Sequence, residues 1–127
     1  MTAVRVADTS ALYAFFDEGD AFHAQALRAF EDPETIWVPA EVLAELLQLM
    51  ARRVGRETVQ GAGEFLWHME HTEIQPSDTA VLMAAWGHFE AAKGKLSYVD
   101  AIVAATCEEL DAEPLTFDRD ILRALRR

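Results

Sequence analysis

One cysteine, four prolines and six glycines in 127 residues leave this sequence with little material for cross-links or irregular chain. Cys107 alone cannot close an internal disulfide or supply a multi-thiolate zinc site, so the expected compartment is a reducing cytoplasm. With 51% apolar and 26% charged residues, the collagen-like, low-complexity and disordered classes are excluded. No apolar run approaches the ~18 residues that span a bilayer, and Met1-Thr2-Ala3-Val4 lacks a signal-peptide pattern, so neither membrane insertion nor export is expected. Basic residues are scarce too: 11 Lys+Arg against 22 Asp+Glu give a net charge of −11, which argues against non-specific nucleic-acid binding. The length suits a single domain over 1–127, large enough for one core and too short for two.

The cations present are unevenly spread. Arg52, Arg53 and Arg56 form one group, Lys93 and Lys95 a second, and Arg119, Arg123, Arg126 and Arg127 a third. Acids gather elsewhere, at Asp17, Glu18, Asp20, Glu31, Asp32 and Glu34 and again at Glu108, Glu109, Asp111 and Glu113. A polarised surface is expected, although ordinary solvated helix faces also explain any one group.

Short strand-like runs alternate with helical periodicity along the whole chain. Val4-Arg5-Val6-Ala7 reads as a strand that stops at Asp8, after which Ala11, Leu12, Phe15 and Phe16 recur at helical spacing. A second helix is expected from about Asp20 to the Asp32-Pro33 turn signal, then a strand at Ile36-Trp37-Val38. Pro39 suits the first turn of a helix whose apolar arc includes Val42, Leu46 and Met50 and which ends near Gly55. A helix over about 57–70, a strand at Thr72-Glu73-Ile74, a helix over 78–92 capped by Ser77 and another beginning at Ser97 follow. Pro114-Leu115-Thr116-Phe117 is the last expected strand, before a C-terminal helix. The alternation implies right-handed crossovers and a four- to five-stranded parallel sheet, hence a three-layer α/β/α sandwich.

In such a sheet the ligand crevice lies beyond the carboxyl ends of the strands. Acids stand there: Asp8 ends the first strand, and Asp118 and Asp120 lie just past the last. Glu45 and Asp100 border the buried faces of their helices, where a carboxylate costs desolvation unless something compensates. Each acid also has an ordinary explanation. Asp8, Asp118 or Asp120 can cap the following helix, Ser97-Tyr98-Val99-Asp100 fits a capping box, and Glu45 can pair with Arg52 or Arg53. Together, however, several carboxylates at one rim must either hold protons or hold a cation, and all-oxygen ligation selects Mg²⁺ or Mn²⁺.

Three segments carry a family resemblance: Val6-Ala7-Asp8-Thr9-Ser10-Ala11-Leu12; Val38-Pro39-Ala40-Glu41-Val42-Leu43-Ala44-Glu45-Leu46; and Leu96-Ser97-Tyr98-Val99-Asp100-Ala101-Ile102, continued at Leu115-Thr116-Phe117-Asp118-Arg119-Asp120. In order and spacing the chain resembles the PIN domains, and within them the VapC-type toxin ribonucleases of toxin–antitoxin pairs. The resemblance covers the whole chain. It implies metal-binding, catalytic acids at Asp8, Glu45, Asp100 and Asp118, orienting hydroxyls at Thr9, Ser10 and Thr116, and a further acid at Asp120. It implies Mg²⁺- or Mn²⁺-dependent hydrolysis of RNA, a homodimer, and a cognate antitoxin laid over a groove near the acids, for which Leu12, Phe15, Phe16 and Phe22 are candidates. Since RNA must approach an acidic protein, cations around the cleft are required, and Arg52, Arg53 and Arg119 are the candidates. One departure is that the chain stops at Arg127, where many relatives continue into a fifth strand.

Weaker patterns lead elsewhere and fail. His68-Met69-Glu70 matches part of a zinc-deaminase motif whose P-C-x-x-C is absent. Gly61-Ala62-Gly63 lacks the strand and third glycine of a dinucleotide fingerprint, and a dehalogenase-like phosphatase needs an acid where Ser10 stands. Trp37, Trp67 and Trp86 are expected to pack in the core rather than stack on bases. The rival from another class is a non-catalytic PIN-fold module that binds RNA or protein with its acids idle. A stand-alone nuclease without an antitoxin is the other alternative.

Overall fold

The computed structural model describes residues 3–126. Met1, Thr2 and Arg127, the last a member of the C-terminal cation group, lie outside the described residues. Four strands, β1 (Val4–Ala7), β2 (Thr35–Pro39), β3 (Thr72–Gln75) and β4 (Glu113–Leu115), form one sheet in the order β3-β2-β1-β4. Every pairing is parallel. Around it stand α1 (Thr9–Phe16), α2 (His23–Ala29), α3 (Ala40–Arg53), α4 (Arg56–His68), α5 (Thr79–Ala92), α6 (Tyr98–Leu110) and α7 (Arg119–Arg126). This is the α/β architecture the alternation implies, with the lower of the two expected strand counts among the described residues.

Parallel strands must be covered on both faces, and their residues show it: Val6 and Ala7 in β1, Ile36 and Val38 in β2 and Leu115 in β4 are all at most 2% exposed. Helix α6 is the centre of the packing. Its unbroken buried run Ala101–Cys107 is apolar on every side except Thr106, whose hydroxyl returns to the Ile102 carbonyl at 2.7 Å. The buried residues belong to one continuous core.

Strand order decides where a ligand can enter. From β1 the chain steps to β2 and then β3 on one side, and only β4 lies on the other, so the order reverses between β1 and β4. At such a reversal the flanking crossovers diverge and leave a crevice at the carboxyl ends. Asp8 follows β1 directly, and Thr116 follows β4.

Several boundaries differ from the sequence expectation. Helix α2 begins only at His23, because Asp17 and Asp20 spend their carboxylates on the turn amides of Gly19 and Phe22. Asp78, not Ser77, caps α5; the Ser77 hydroxyl instead donates to Glu41 Oε1 at 2.8 Å. Strand β4 ends at Leu115, freeing Thr116 and Phe117 from the ladder. The tryptophans depart most: Trp67 and Trp86 are 62% and 52% exposed, and Trp37 is half-buried. Helix α5 faces α6 through Val81, Ala85 and Ala92, small enough for close approach, and that leaves the Trp86 indole outside.

Candidate metal and phosphodiester site

Asp8 is the buried centre of the crevice, 1% exposed. Its Oδ1 accepts the Ala11 amide at 2.7 Å, capping α1, and the Ser10 hydroxyl lies 3.1 Å from both oxygens. Its Oδ2 accepts the Thr116 hydroxyl from across the β1–β4 junction. The capping role and the crevice position coincide in one side chain. Burial pushes the Asp8 carboxyl above the usual range, the hydrogen bonds from Thr116, Ala11 and Ser10 oppose this, and the charge of Asp118 adds to it.

Thr116 ties two acids together. While its hydroxyl donates to Asp8, the same oxygen accepts the Asp118 amide at 2.9 Å, and Asp118 Oδ1 in turn accepts the Asp120 amide at 2.8 Å. The turn from β4 into α7 is thus hung on the carboxylate that ends β1.

Above Asp8 lies a cleft of about 300 Å³, whose lining includes Thr9, Ser10, Glu45, Arg53, Asp100 and Asp118. Helix α3 brings Glu45, α6 brings Asp100 from its first turn, and the β4–α7 turn brings Asp118. Only half of the expected capping box forms: Ser97 Oγ accepts the Asp100 amide at 3.1 Å, and the Asp100 carboxylate is left to the cleft. Burial, then the charges of Asp8, Asp118 and Glu45, push the Asp100 carboxyl up to about 7, against a hydrogen bond from Ser97. Glu45 forms no ion pair with a described residue, so the pairing open to it with Arg52 or Arg53 is not made.

Whether these residues suit a divalent cation can be tested on three features. The donors are carboxylate and hydroxyl oxygens, the set that hard ions take. Asp100 near 7 registers a surplus of negative charge that a cation would relieve. Thr9, a cleft-lining residue 5% exposed, has its hydroxyl buried without a hydrogen-bond partner, and such an atom calls for a ligand or water. Among the described residues no three Asp, Glu, His or Cys side chains already converge at ligating distance. The acids border a common space without touching. The donor chemistry therefore fits the ion, and binding would draw the carboxylates inward.

The structure brings together Asp8, Thr9, Ser10, Glu45, Asp100, Thr116 and Asp118, with Arg53 on the rim. Asp120 stands next to them but lines a neighbouring groove. Arg52 and Arg119 are exposed and do not line the cleft. Three lining residues escaped sequence reading: Tyr13, Asp20 and Leu49. Tyr13 was within reach, since it follows Thr9 by one helical turn and the Arg53 guanidinium stands 5.2 Å from its ring centre. Asp20 had no local signal, because only the fold of the α1–α2 loop returns it to the cleft. The histidine candidates dissolve into surface pairs, His68 with Glu64 at 3.5 Å and His71 with Glu70 at 3.9 Å. Of the suggested partner groove, Leu12 is core, Phe15 and Phe16 are half-buried, and Phe22 is exposed and stacked on Phe117.

The sequence matches the model of the PIN domain family over residues 5–126. Among solved structures the fold is similar to that of Mycobacterium tuberculosis VapC20, described as a Sarcin-Ricin loop cleaving toxin. The TM-score is 0.83 at 24% identity, covering 96% of this chain and 95% of that one. No protein of curated function matches the sequence.

Proposed function

The chain belongs to the PIN domain family, and from that premise we propose that it is a divalent-metal-dependent endoribonuclease, the toxin of a VapBC-like type II toxin–antitoxin pair. The observation that carries this reading is the meeting of Asp8, Glu45, Asp100 and Asp118, from four separate elements, at the one crevice the strand order creates. The fold shared with a toxin that cleaves RNA supports it.

Asp8 and Asp118 would hold Mg²⁺ or Mn²⁺ directly, and Asp100 and Glu45 would complete the set directly or through water. When bound, such an ion would supply Lewis acidity toward the phosphodiester. Thr116 holds the two primary acids in register, a role whose loss in other sites costs about 10- to 100-fold. Asp100 or Glu45, both on the cleft wall, would accept the proton of the attacking water. Arg53, on the rim, is placed to meet a phosphate oxygen. Arg52 and Arg119, exposed and outside the cleft lining, are given no direct part.

The partners we assign are an RNA substrate, a second copy of the chain and a cognate antitoxin, all in the cytoplasm. An antitoxin segment carrying an arginine would satisfy the same carboxylates the cation does and silence the site. No helix among the described residues is long and apolar enough to cross a membrane.

Purified protein incubated with structured RNA is expected to cut it with Mn²⁺ or Mg²⁺ and to stop when EDTA is added. Asp100→Asn is expected to be inactive while melting as a folded protein. Undiminished cleavage by Asp100→Asn, or cleavage indifferent to EDTA, overturns the reading.

A further inference from the structure

The second and third cation groups of the sequence are separate in the chain but share one groove in the fold. Lys93 and Lys95 follow α5, and Arg123 and Arg126, three residues apart on α7, present one face toward them. With Asp120 and two alanines they line a groove of about 480 Å³. It holds four cations and one carboxylate on a protein whose net charge is −11. Arg123 is paired with Asp120 at 3.2 Å, whereas Lys93, Lys95 and Arg126 form no ion pair with any described residue.

The backbone fixes the lysines in place. Lys93 adopts a left-handed conformation at φ 51° as the C-cap of α5, and Gly94 at φ 88° continues the reversal, a conformation that glycine reaches without steric cost. Buried Leu96 then anchors the loop, so the two ammonium groups flank a short, tethered turn rather than a free tail.

Both walls of this groove are joined through the chain to elements of the carboxylate cleft. The lysine loop leads through Ser97 to Asp100, and α7 starts at the turn that carries Asp118, whose Oδ1 holds the Asp120 amide. A strand leaving the cleft along this groove meets four cations, three of them without an ion-pair partner among the described residues.

We propose that the groove between the Lys93–Lys95 loop and α7 is the track for the phosphate backbone of single-stranded RNA flanking the scissile bond. This assignment rests on the nuclease reading for its direction, since the strand it holds is the one that enters the cleft. Helix α7, eight residues and about 12 Å long, matches about three phosphates at the ~3.4 Å axial spacing of a stacked strand. Three cations without an ion-pair partner among the described residues stand along it. Arginine forks and lysine point charges both serve phosphate in this way, and neither reads a base, so the track adds affinity and direction without sequence preference.

The test is binding, which separates it from catalysis. Fluorescence anisotropy with a labelled single-stranded RNA in EDTA compares the unaltered protein, the triple variant Lys93→Ala/Lys95→Ala/Arg126→Ala, and Arg28→Ala, which removes an exposed cation on α2. Melting curves establish that each variant is folded, and Lys93→Gln/Lys95→Gln serves if the triple variant is not. The triple variant should bind at least about tenfold more weakly, and its plot of log affinity against log salt should be shallower by about 2, at ~0.7 for each phosphate it no longer neutralises. Arg28→Ala should match the unaltered protein. Equal affinity and equal slope in the triple variant overturn the track, as does displacement of the RNA by polyglutamate at equal charge, which assigns the groove to an acidic protein. If the unaltered protein binds RNA through these cations but never cuts it, the nuclease reading fails and the track stands.

Discussion

Thr116 donates its hydroxyl to Asp8, a residue 108 positions earlier in the chain, and in the same place accepts the amide of Asp118. One small side chain thereby closes the junction of the two strands between which the sheet reverses its order. It fixes the rotamer of a nearly inaccessible carboxylate on one side and the path of the turn into α7 on the other.

Thr116→Val keeps the volume of this link and removes both hydrogen bonds, so Asp8 loses a donor and the Asp118 amide loses its acceptor. Stability should fall by about 1–3 kcal/mol, the cost of leaving buried polar groups unpaired. Turnover on RNA should fall about 10- to 100-fold, as for residues that orient metal ligands. Thr116→Ser should recover most of both, and a fully active Val variant would show that the link is ornamental.

Asp8→Asn separates the capping role from the chemistry. The amide oxygen can still accept from Ala11, so α1 should start as before and the melting temperature should change little. Cleavage should drop by about 10³-fold or more, since a lost ligand removes several kcal/mol of transition-state stabilisation and each 1.36 kcal/mol is a factor of ten.

Asp100 makes stability depend on pH in a stated direction. Its carboxyl is raised from 3.8 to about 7 in the fold, so the folded state binds the proton more tightly than the unfolded chain does. Its contribution is therefore fully present below 3.8 and is lost as pH rises through about 7. Asp100→Asn should flatten this fall and raise the melting temperature at pH 8 by about 3–5 °C, corresponding to ~1 kcal/mol once solvent screening of a partly exposed group is allowed for. The same variant should be catalytically dead, so stability and activity move oppositely. Thermal scans from pH 4 to 8 provide the measurement.

A divalent cation should reverse the trend. Mn²⁺ or Mg²⁺ at a hundredfold excess over its Kd should stabilise the protein by about 2.7 kcal/mol at pH 8. The gain should be much smaller at pH 5, where a proton on Asp100 competes for the same position. Equal stabilisation at both pH values, or none, would exclude binding at this cleft.

Cys107 offers an independent probe of the fold. It is 1% exposed on α6, and burial pushes its thiol up to about 12. Alkylating reagents at pH 8 should leave the native protein unmodified and label it at the rate of global opening. Fast labelling would show that α6, which carries Asp100, is not held as tightly as its packing implies.

Periodicity and turn chemistry were enough to read the element order, the parallel α/β class and the acids at strand ends. These are local properties: alternation of apolar residues sets helix or strand, and the residue after a strand is at its carboxyl end by definition. The same logic misled where packing overrules composition. Trp86 lies on an apolar stripe, yet α5 buries Val81, Ala85 and Ala92, and the indole stays 52% exposed against Phe89 and Tyr98. Ser77 has the chemistry of a cap and donates to Glu41 instead. Asp20 and Tyr13 entered the cleft unannounced because their positions depend on how α1 and α2 fold back.

Sequence alone determined which side chains are carboxylic acids and that they end strands or flank buried helix faces, because residue type and periodicity need no partner to be read. Tertiary structure alone decided that β4 lies beside β1, which makes Thr116 the tie between Asp8 and Asp118 and joins two distant cation groups in one groove. Strand order is settled by burial and crossover geometry summed over the whole chain, and no local segment contains that sum.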